Sequence, residues 1–313
     1  MVKSEFNVKF WGVRGSYPTP QAQFLEYGGN TSCVEVNVGG HKIILDAGTG
    51  IINLGETMMK SYLSQGTNIY DREPMNVTLL LSHIHQDHIQ GFPFFKPAHV
   101  KSTNMNVFGF ADHKYGLGQV LSELLFGRSF PMDLGDIAAK LNIYDIYENE
   151  VIILHPDSNV PETATIMSED DIIPKGDDVV VTAYKTYAHP KNGNLIYKIT
   201  YKDKSLVYAS DKESYIGGDK KLAIFARNCD LLIHDAQYVD EDYMSSAVPK
   251  QGFGHSTFDM ALEMKQLSHA KQLVFFHLDP TYDDEVVKRI DNHYKQSNNS
   301  SVVAKEGLEI SIL

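Results

Sequence analysis

The apolar positions along the first third of the chain fall in short runs broken by glycine, proline and polar clusters, a pattern that predicts strands. "FNVKFWG", "SCVEVNVGGHKIILDAG" and "MNVTLLLSH" all read this way, and the second divides into a hairpin with Gly39-Gly40 as its two-residue turn. "TLLLS" is continuously apolar, as expected of a strand buried on both faces. The stretch from about 99 to 178 is less regular: "GQVLSELLFG" and "LGDIAAKLNIYDI" read as helical, and "HPDSNVPETATIMSEDDIIPKGDD" as a polar, acidic loop. It is taken as an elaboration inside one domain spanning 1–313. Strands return in "DVVVTAYKTYAH", "NLIYKITYKDKSLVYASD" and "CDLLIHDA", with Asp203-Lys204 as a hairpin turn in the second of these. "STFDMALEMKQLSHA" reads as an amphipathic helix capped by Ser256 or Thr257. A buried strand "KQLVFFHLDP", a helix "TYDDEVVKRIDNHYKQS" and a short strand "LEISIL" complete the chain. Strands in both halves with helices between them predict an α/β layered sandwich.

Composition narrows the class. The chain has 313 residues, 42% hydrophobic and 22% charged, with a formal net charge of −12. That balance argues against broad attraction to nucleic acid and requires a local positive centre for any small anion. Two cysteines, Cys33 and Cys229, without a C-x-x-C spacing do not support a disulfide framework. No apolar h-region opens the sequence and no apolar run approaches a membrane span, so a cytoplasmic protein is expected.

The chemistry is concentrated in "LSHIHQDHIQGF", where His83, His85, Asp87 and His88 follow a buried strand within six positions. Imidazole and carboxylate together suit zinc, manganese or iron(II). One zinc ion needs three or four ligands. Four donors this close, with more downstream, point to two divalent ions.

The segment "SHIHQDHIQG" resembles the H-x-H-x-D-H signature of the metallo-β-lactamase superfamily. Further motifs follow in that family's order: "LDAGTG" with Asp46, "YAHP" with His189, "VYASD" with Asp211 and "FFHLDP" with His277. The resemblance implies an αββα four-layer sandwich with a two-metal site at one edge. It implies His83, His85 and His189 on one ion, Asp87, His88 and His277 on the other, and Asp211 bridging both. Asp46 would orient a histidine through its second nitrogen. His255 in "FGHST" competes with His189 for the third position. The family's bridging aspartate follows the third histidine, which favours His189 and releases His255.

"LLIHDAQY" followed by "GHST" is similar to the tRNase Z-like phosphodiesterases and implies Asp235 and His255 as a proton-donating pair beside Asp87. The opening "FWGVRGSYPTP" with "YGGNTSCVEV" resembles bacterial metal-dependent phosphodiesterases, including enzymes that degrade cyclic nucleotides. There Arg14 and Asn30 would hold loops or a phosphate. Tyr17 departs from the smaller aliphatic residue common at its place, and "HPKNGNLIYKI" carries fewer glycines than usual. Two divalent ions, offset by Asp87, Asp211 and a hydroxide, leave about one positive charge in a dry cleft, which favours a phosphate monoanion. The acidic chain and the lack of a long basic, glycine-rich arm make a small phosphodiester, a cyclic nucleotide or cyclic ribose phosphate, the expected substrate, without strong nucleic-acid binding. Phe92, Phe94, Phe95 and Phe253 are candidates to stack a base or to fill the core. The alternatives are a tRNA 3′-end endonuclease of the tRNase Z type and a metal-bound sensor without turnover. A homodimer is an expectation from the resemblance and the extra segment.

Overall fold

A computed structural model describes residues 5–110, 114–127, 130–166, 175–215, 217–297 and 300–313. Fifteen strands among them form two sheets. The first has seven strands in the order β15-β1-β2-β3-β4-β5-β6: β1 (Phe6–Gly12), β2 (Cys33–Val38), β3 (His41–Leu45), β4 (Asn76–Leu80), β5 (Asn104–Gly109), β6 (Lys140–Asp145) and β15 (Glu309–Ser311). The second has eight in the order β14-β13-β12-β11-β10-β9-β7-β8: β7 (Glu150–Leu154), β8 (Glu162–Thr165), β9 (Val179–Thr186), β10 (Asn194–Tyr201), β11 (Lys204–Ala209), β12 (Leu231–Asp235), β13 (Gln272–Phe276) and β14 (Ser301–Val303). Seven α-helices flank them: α1 (Gly50–Ser64), α2 (Gln86–Ile89), α3 (Leu117–Leu121), α4 (Lys220–Phe225), α5 (Asp240–Tyr243), α6 (Phe258–Ser268) and α7 (Asp284–Ser297).

The sheets face one another across one apolar core. Phe6, Val8 and Phe10 alternate inward from β1 toward Tyr197 and Ile199 of β10, Leu206 and Tyr208 of β11 and Phe276 of β13, with the Phe10 and Phe276 rings 6.0 Å apart. Each large buried side chain there contributes roughly 1.5–3 kcal/mol of transfer free energy. On the outer face of the first sheet a second cluster packs Ile51, Leu54 and Met58 of α1 with Ile44, Leu79, Phe92 and Phe95. Helix α6 packs on β12 and β13. The helix–sheet–sheet–helix layering is the expected sandwich.

The site lies where it does because of strand direction. β3, β4 and β5 run parallel, with Leu45 beside Leu80 and Leu80 beside Phe108. β11, β12 and β13 also run parallel, with Ala209 beside His234 and Asp235 beside Phe276. The residues just beyond these carboxyl ends therefore converge on one edge of the sandwich, the usual location of sites in such sheets.

The Gly39-Gly40 turn has φ of 56° and 84°, the positive pair that a tight hairpin requires. Thr257 caps α6 by accepting from the Met260 amide. Three expectations need correction. "KLNIYD" is strand β6, not helix: only a short turn at Leu134–Asp136, closed by a capping box from Asp133, precedes it, and the run then pairs parallel to β5. The hairpin between β10 and β11 turns at Lys202-Asp203, one residue earlier than expected, because Tyr201 pairs with Lys204. The polar stretch after His155 contains strand β8, which closes the edge of the second sheet against β7, while the acidic loop at 167–174 lies outside the described residues. The 99–178 stretch thus supplies β5 and β6 to one sheet and β7 and β8 to the other. Among the described residues no helix is long and apolar enough to cross a membrane.

Candidate metal centre

Three groups of donors gather at the convergent strand ends: His83, His85, His189 and Asp211; Asp87, His88, Asp211 and His277; and Asp211, Asp235, His255 and His277. All are buried except His85, which faces the opening. Asp211 stands between two histidine pairs. Its Oδ1 lies 3.1 Å from His88 Nε2 and 3.2 Å from His277 Nε2, while Oδ2 lies 3.5 Å from His83 Nε2 and 3.6 Å from His189 Nε2.

The outward-facing nitrogens show why the inward ones point where they do. His88 Nδ1 donates to Asp46 Oδ2 at 2.8 Å, His277 Nδ1 to Gln237 Oε1 at 3.0 Å, and His189 Nδ1 to the Gly254 carbonyl at 3.1 Å. Ser82 Oγ donates to Asp46 at 2.8 Å and so accepts from His83 Nδ1 at 3.0 Å. With Nδ1 committed outward, each of these rings turns its Nε2 toward the centre. His88 Nε2 and His277 Nε2 face each other at 3.2 Å, and His189 Nε2 faces His85 Nδ1 at 2.9 Å. Among the described residues the buried His83 Nε2 has no hydrogen-bond partner. Ring nitrogens in such contact repel unless a proton or a metal cation lies between them, and the outward hydrogen bonds are those that hold metal-binding imidazoles in place. The donor set fits divalent metal.

Charge follows the same geometry. Burial pulls the His88 imidazole down, but Asp211, Asp87 and Asp46 outweigh it and hold the ring well above its ordinary value. Burial pushes Asp87 and Asp211 up, and the facing histidines reverse this, leaving both carboxyls well below the usual range. His83 and His189 are depressed, chiefly by burial, His189 to about 4.

Backbone strain marks the same edge. Asp46, Asp211 and His277 have φ of 61°, 51° and 61°, a left-handed conformation uncommon for residues with side chains. Two glycines permit close approach: a Cβ on Gly15 would lie 2.4 Å from His277 Cε1, and one on Gly254, itself at φ +93°, would lie 2.3 Å from His189 Nδ1.

His255 Nδ1 donates to Asp235 Oδ2 at 2.7 Å, and the His255 ring stacks on His277 with centroids 4.9 Å apart. Burial opposes the charged ring, but Asp235 outweighs it and raises the imidazole to about 9. Arg14 and Asn30 sit apart from the donors. Arg14 is fully buried and donates to the carbonyls of Gly28, Asp279 and Tyr282, while Asn30 donates to Glu306. Of the two roles considered for them, these bonds are those of loop ties. Phe92 and Phe95 are core residues, whereas Phe94 and Phe253 are half exposed.

Several residues at the site escaped the sequence reading. Tyr208 donates to Asp46 at 2.7 Å, and the Ser16 amide donates to Asp87 at 2.7 Å. Ser210 Oγ donates to Asp211, and the Asn194 amide spans the carbonyls of Ser210 and Asp211. Glu213 accepts from the Gly252 and Gly254 amides and from the Tyr243 hydroxyl, fixing the loop that carries His255. The only sequence signal for them is proximity to a motif: Ser82, Ser210 and Gln237 each lie one or two residues from a donor.

Residues 41–278 match the beta-lactamase superfamily domain. The chain belongs to this superfamily, on its tRNase Z-like branch, and is a metal-dependent hydrolase. It is 25% identical to the Ribonuclease Z of Picrophilus torridus over 99% of this chain and 96% of that one. It is 26% identical to the Ribonuclease Z of Nanoarchaeum equitans over 87% and 83%. The fold is similar to that of human tRNase Z, short form, with a TM-score of 0.60 at 18% identity, covering 98% and 99% of the two chains.

These relatives correct the expected partner. Acidic balance and a missing arm favoured a small phosphodiester without strong nucleic-acid binding; relatives named for a ribonuclease, matched almost end to end, overturn that. Net charge averages over the whole surface, whereas a substrate meets only the groups around the cleft.

Proposed function

We propose that this hydrolase is a ribonuclease that cleaves a phosphodiester bond in the 3′ region of a tRNA precursor. The observation that carries this reading is the Asp235–His255 pair, held at 2.7 Å beside the donor cluster, in a chain whose near-full-length relatives are named Ribonuclease Z. In this reading His83, His85 and His189 hold one divalent ion, Asp87, His88 and His277 the other, and Asp211 both. Zinc suits these nitrogen and oxygen donors best, with manganese or iron(II) as the other fits. Bound there, the ions would supply activated water and stabilise charge on the phosphoryl oxygens.

The chain's own residues do the rest. Asp46, Gln237 and Gly254 fix the rings so that lone pairs face the centre. Asp235 accepts the His255 Nδ1 proton and supports the charged ring, leaving the other ring nitrogen to protonate the departing ribose oxygen. An alkoxide is a poor leaving group without that proton, so the pair suits a nucleic-acid diester. The test is incubation of zinc- or manganese-loaded protein with a precursor tRNA carrying a 3′ trailer, followed by mapping of the new ends. A single cut near the acceptor end is the expected result. Intact precursor, with a nitrophenyl phosphodiester still turned over, rejects the ribonuclease reading.

A further inference from the structure

Two loops that carry the His189–His255 end of the site each present a large exposed ring. Tyr187 is 69% exposed and precedes His189 by two residues; Phe253 is 50% exposed and precedes His255 by two. Both loops are anchored. The Gly254 carbonyl accepts from His189 Nδ1, the Gly252 and Gly254 amides donate to Glu213, and β9 ends at Thr186, next to Tyr187. Exposure here is therefore not looseness: the rings are held in water by backbone that is itself fixed.

Each ring has an ammonium group beside it. Lys185 Nζ lies 5.1 Å from the Tyr187 ring centroid and 3.5 Å from that of Phe110. Lys250 Nζ lies 5.9 Å from Phe253 and 5.2 Å from Tyr238. In a chain with net charge −12, both lysines lie within five residues of the site histidines His189 and His255. A flat apolar face next to a cation matches a nucleotide, whose base stacks while its phosphate meets the ammonium. Paired bases hide those faces in the helix, so the arrangement suits unpaired nucleotides.

We propose that Tyr187 with Lys185, and Phe253 with Lys250, form a stacking platform for unpaired RNA nucleotides adjoining the scissile phosphate. The proposal rests on the ribonuclease reading and assigns these residues to specificity. They touch the flanking bases, not the reacting atoms.

The experiment compares the metal-loaded wild-type protein with Tyr187→Ala and Phe253→Ala on a precursor RNA with an unpaired flank, and on the same RNA made abasic at the adjoining nucleotides. Metal content and thermal midpoint are measured for each variant. Each variant is expected to raise KM on the first RNA by roughly 10- to 100-fold, with kcat largely kept. On the abasic RNA the wild type should already show the raised KM, and removing the ring should add little. Phe253→Leu, which keeps apolar bulk but not a flat face, should resemble Phe253→Ala, and Tyr187→Phe should resemble wild type. Wild-type KM in the alanine variants, full additivity with the abasic change, or a wild-type-like Phe253→Leu overturns the platform. A wild-type protein that cuts no RNA overturns the ribonuclease reading and the platform with it; one that cuts RNA while the variants match it overturns the platform alone.

Discussion

Asp46 Oδ2 accepts the Nδ1 proton of His88 at 2.8 Å with both side chains fully buried, and the same carboxylate also receives Tyr208 Oη, Ser82 Oγ and the Ser82 amide. One buried carboxylate thus sets the orientation of His88 directly and, through Ser82, that of His83. Asp46→Ala should weaken metal affinity by roughly 10- to 100-fold, as loss of such a supporting partner typically does. Tyr208→Phe, which removes one of four donors to Asp46, should weaken it less. Chelator competition followed by metal analysis checks both. Affinity unchanged in Asp46→Ala would show that the rings are held by packing alone.

A second ion pair, with its lysine buried, supports the loop after Asp211. Lys212 Nζ lies 2.6 Å from Asp219 Oδ2, with the lysine side chain only 1% exposed, and Asp219 also caps α4 through the Lys221 and Leu222 amides. Asp219→Ala removes the cap and leaves a buried ammonium without its partner, which should cost about 3–5 kcal/mol. Lys212→Met leaves only a carboxylate that is partly open to solvent and still bound by two amides, so it should cost less. Denaturant unfolding of the two variants gives the order. The reverse order would mean that the stranded carboxylate, not the lost cap and the stranded ammonium, dominates.

How far the site was legible in the sequence depends on how each residue is held. His83, His85, Asp87 and His88 are contiguous, so their crowding is visible without a fold. His189, Asp211 and His277 are scattered, and they were readable only through the resemblance of their motifs to the family's order; in the fold each follows a strand end, β11 and β13 lying parallel to β12 and β9 antiparallel to β10. Tyr208, Gln237 and Glu213 are ordinary residue types whose partners are distant in the chain, and no spacing betrays them. The helix expected at "LGDIAAKLNIYDI" failed for a related reason. Its apolar residues suit a helical face locally, but pairing of Asn106 with Asn142 and Val107 with Ile143 across β5 and β6 overrides that preference.

The β7–β8 edge carries a pH-dependent clamp. His155 Nδ1 lies 2.8 Å from Asp178 and Nε2 lies 2.9 Å from Glu162. Hydrogen bonds to Glu162 and then Asp178 raise the imidazole above its ordinary value. A raised folded-state value means stability that is fully present below the unfolded pKa of about 6.5 and lost as pH rises through the folded one. His155 and Glu162 are open to solvent and only Asp178 is buried, so the effect should not exceed about 1 kcal/mol. Wild type should exceed His155→Gln in thermal midpoint at pH 5.5 and approach it at pH 9. A difference that grows with pH contradicts the clamp.

The remaining prediction separates proton donation from metal binding at His255. Its ring stacks on His277 and its Nδ1 is taken up by Asp235, so it adjoins the donor cluster while facing a carboxylate of its own. His255→Ala should keep its metals and lose roughly 10²–10⁴-fold in kcat on RNA, where the leaving oxygen is an alkoxide. A nitrophenyl phosphodiester expels a phenolate that departs without a proton, so the same variant should lose far less on that probe. Asp235→Asn should follow His255→Ala, because the amide no longer supports a charged imidazole, and the double variant should be little worse than either single one. His277→Ala should instead lose metal and fail on both substrates. Equal impairment of His255→Ala on RNA and on the nitrophenyl probe, with metal retained, would assign the ring to phosphate binding. Loss of metal in His255→Ala would make it, rather than His189, the third histidine of the first ion.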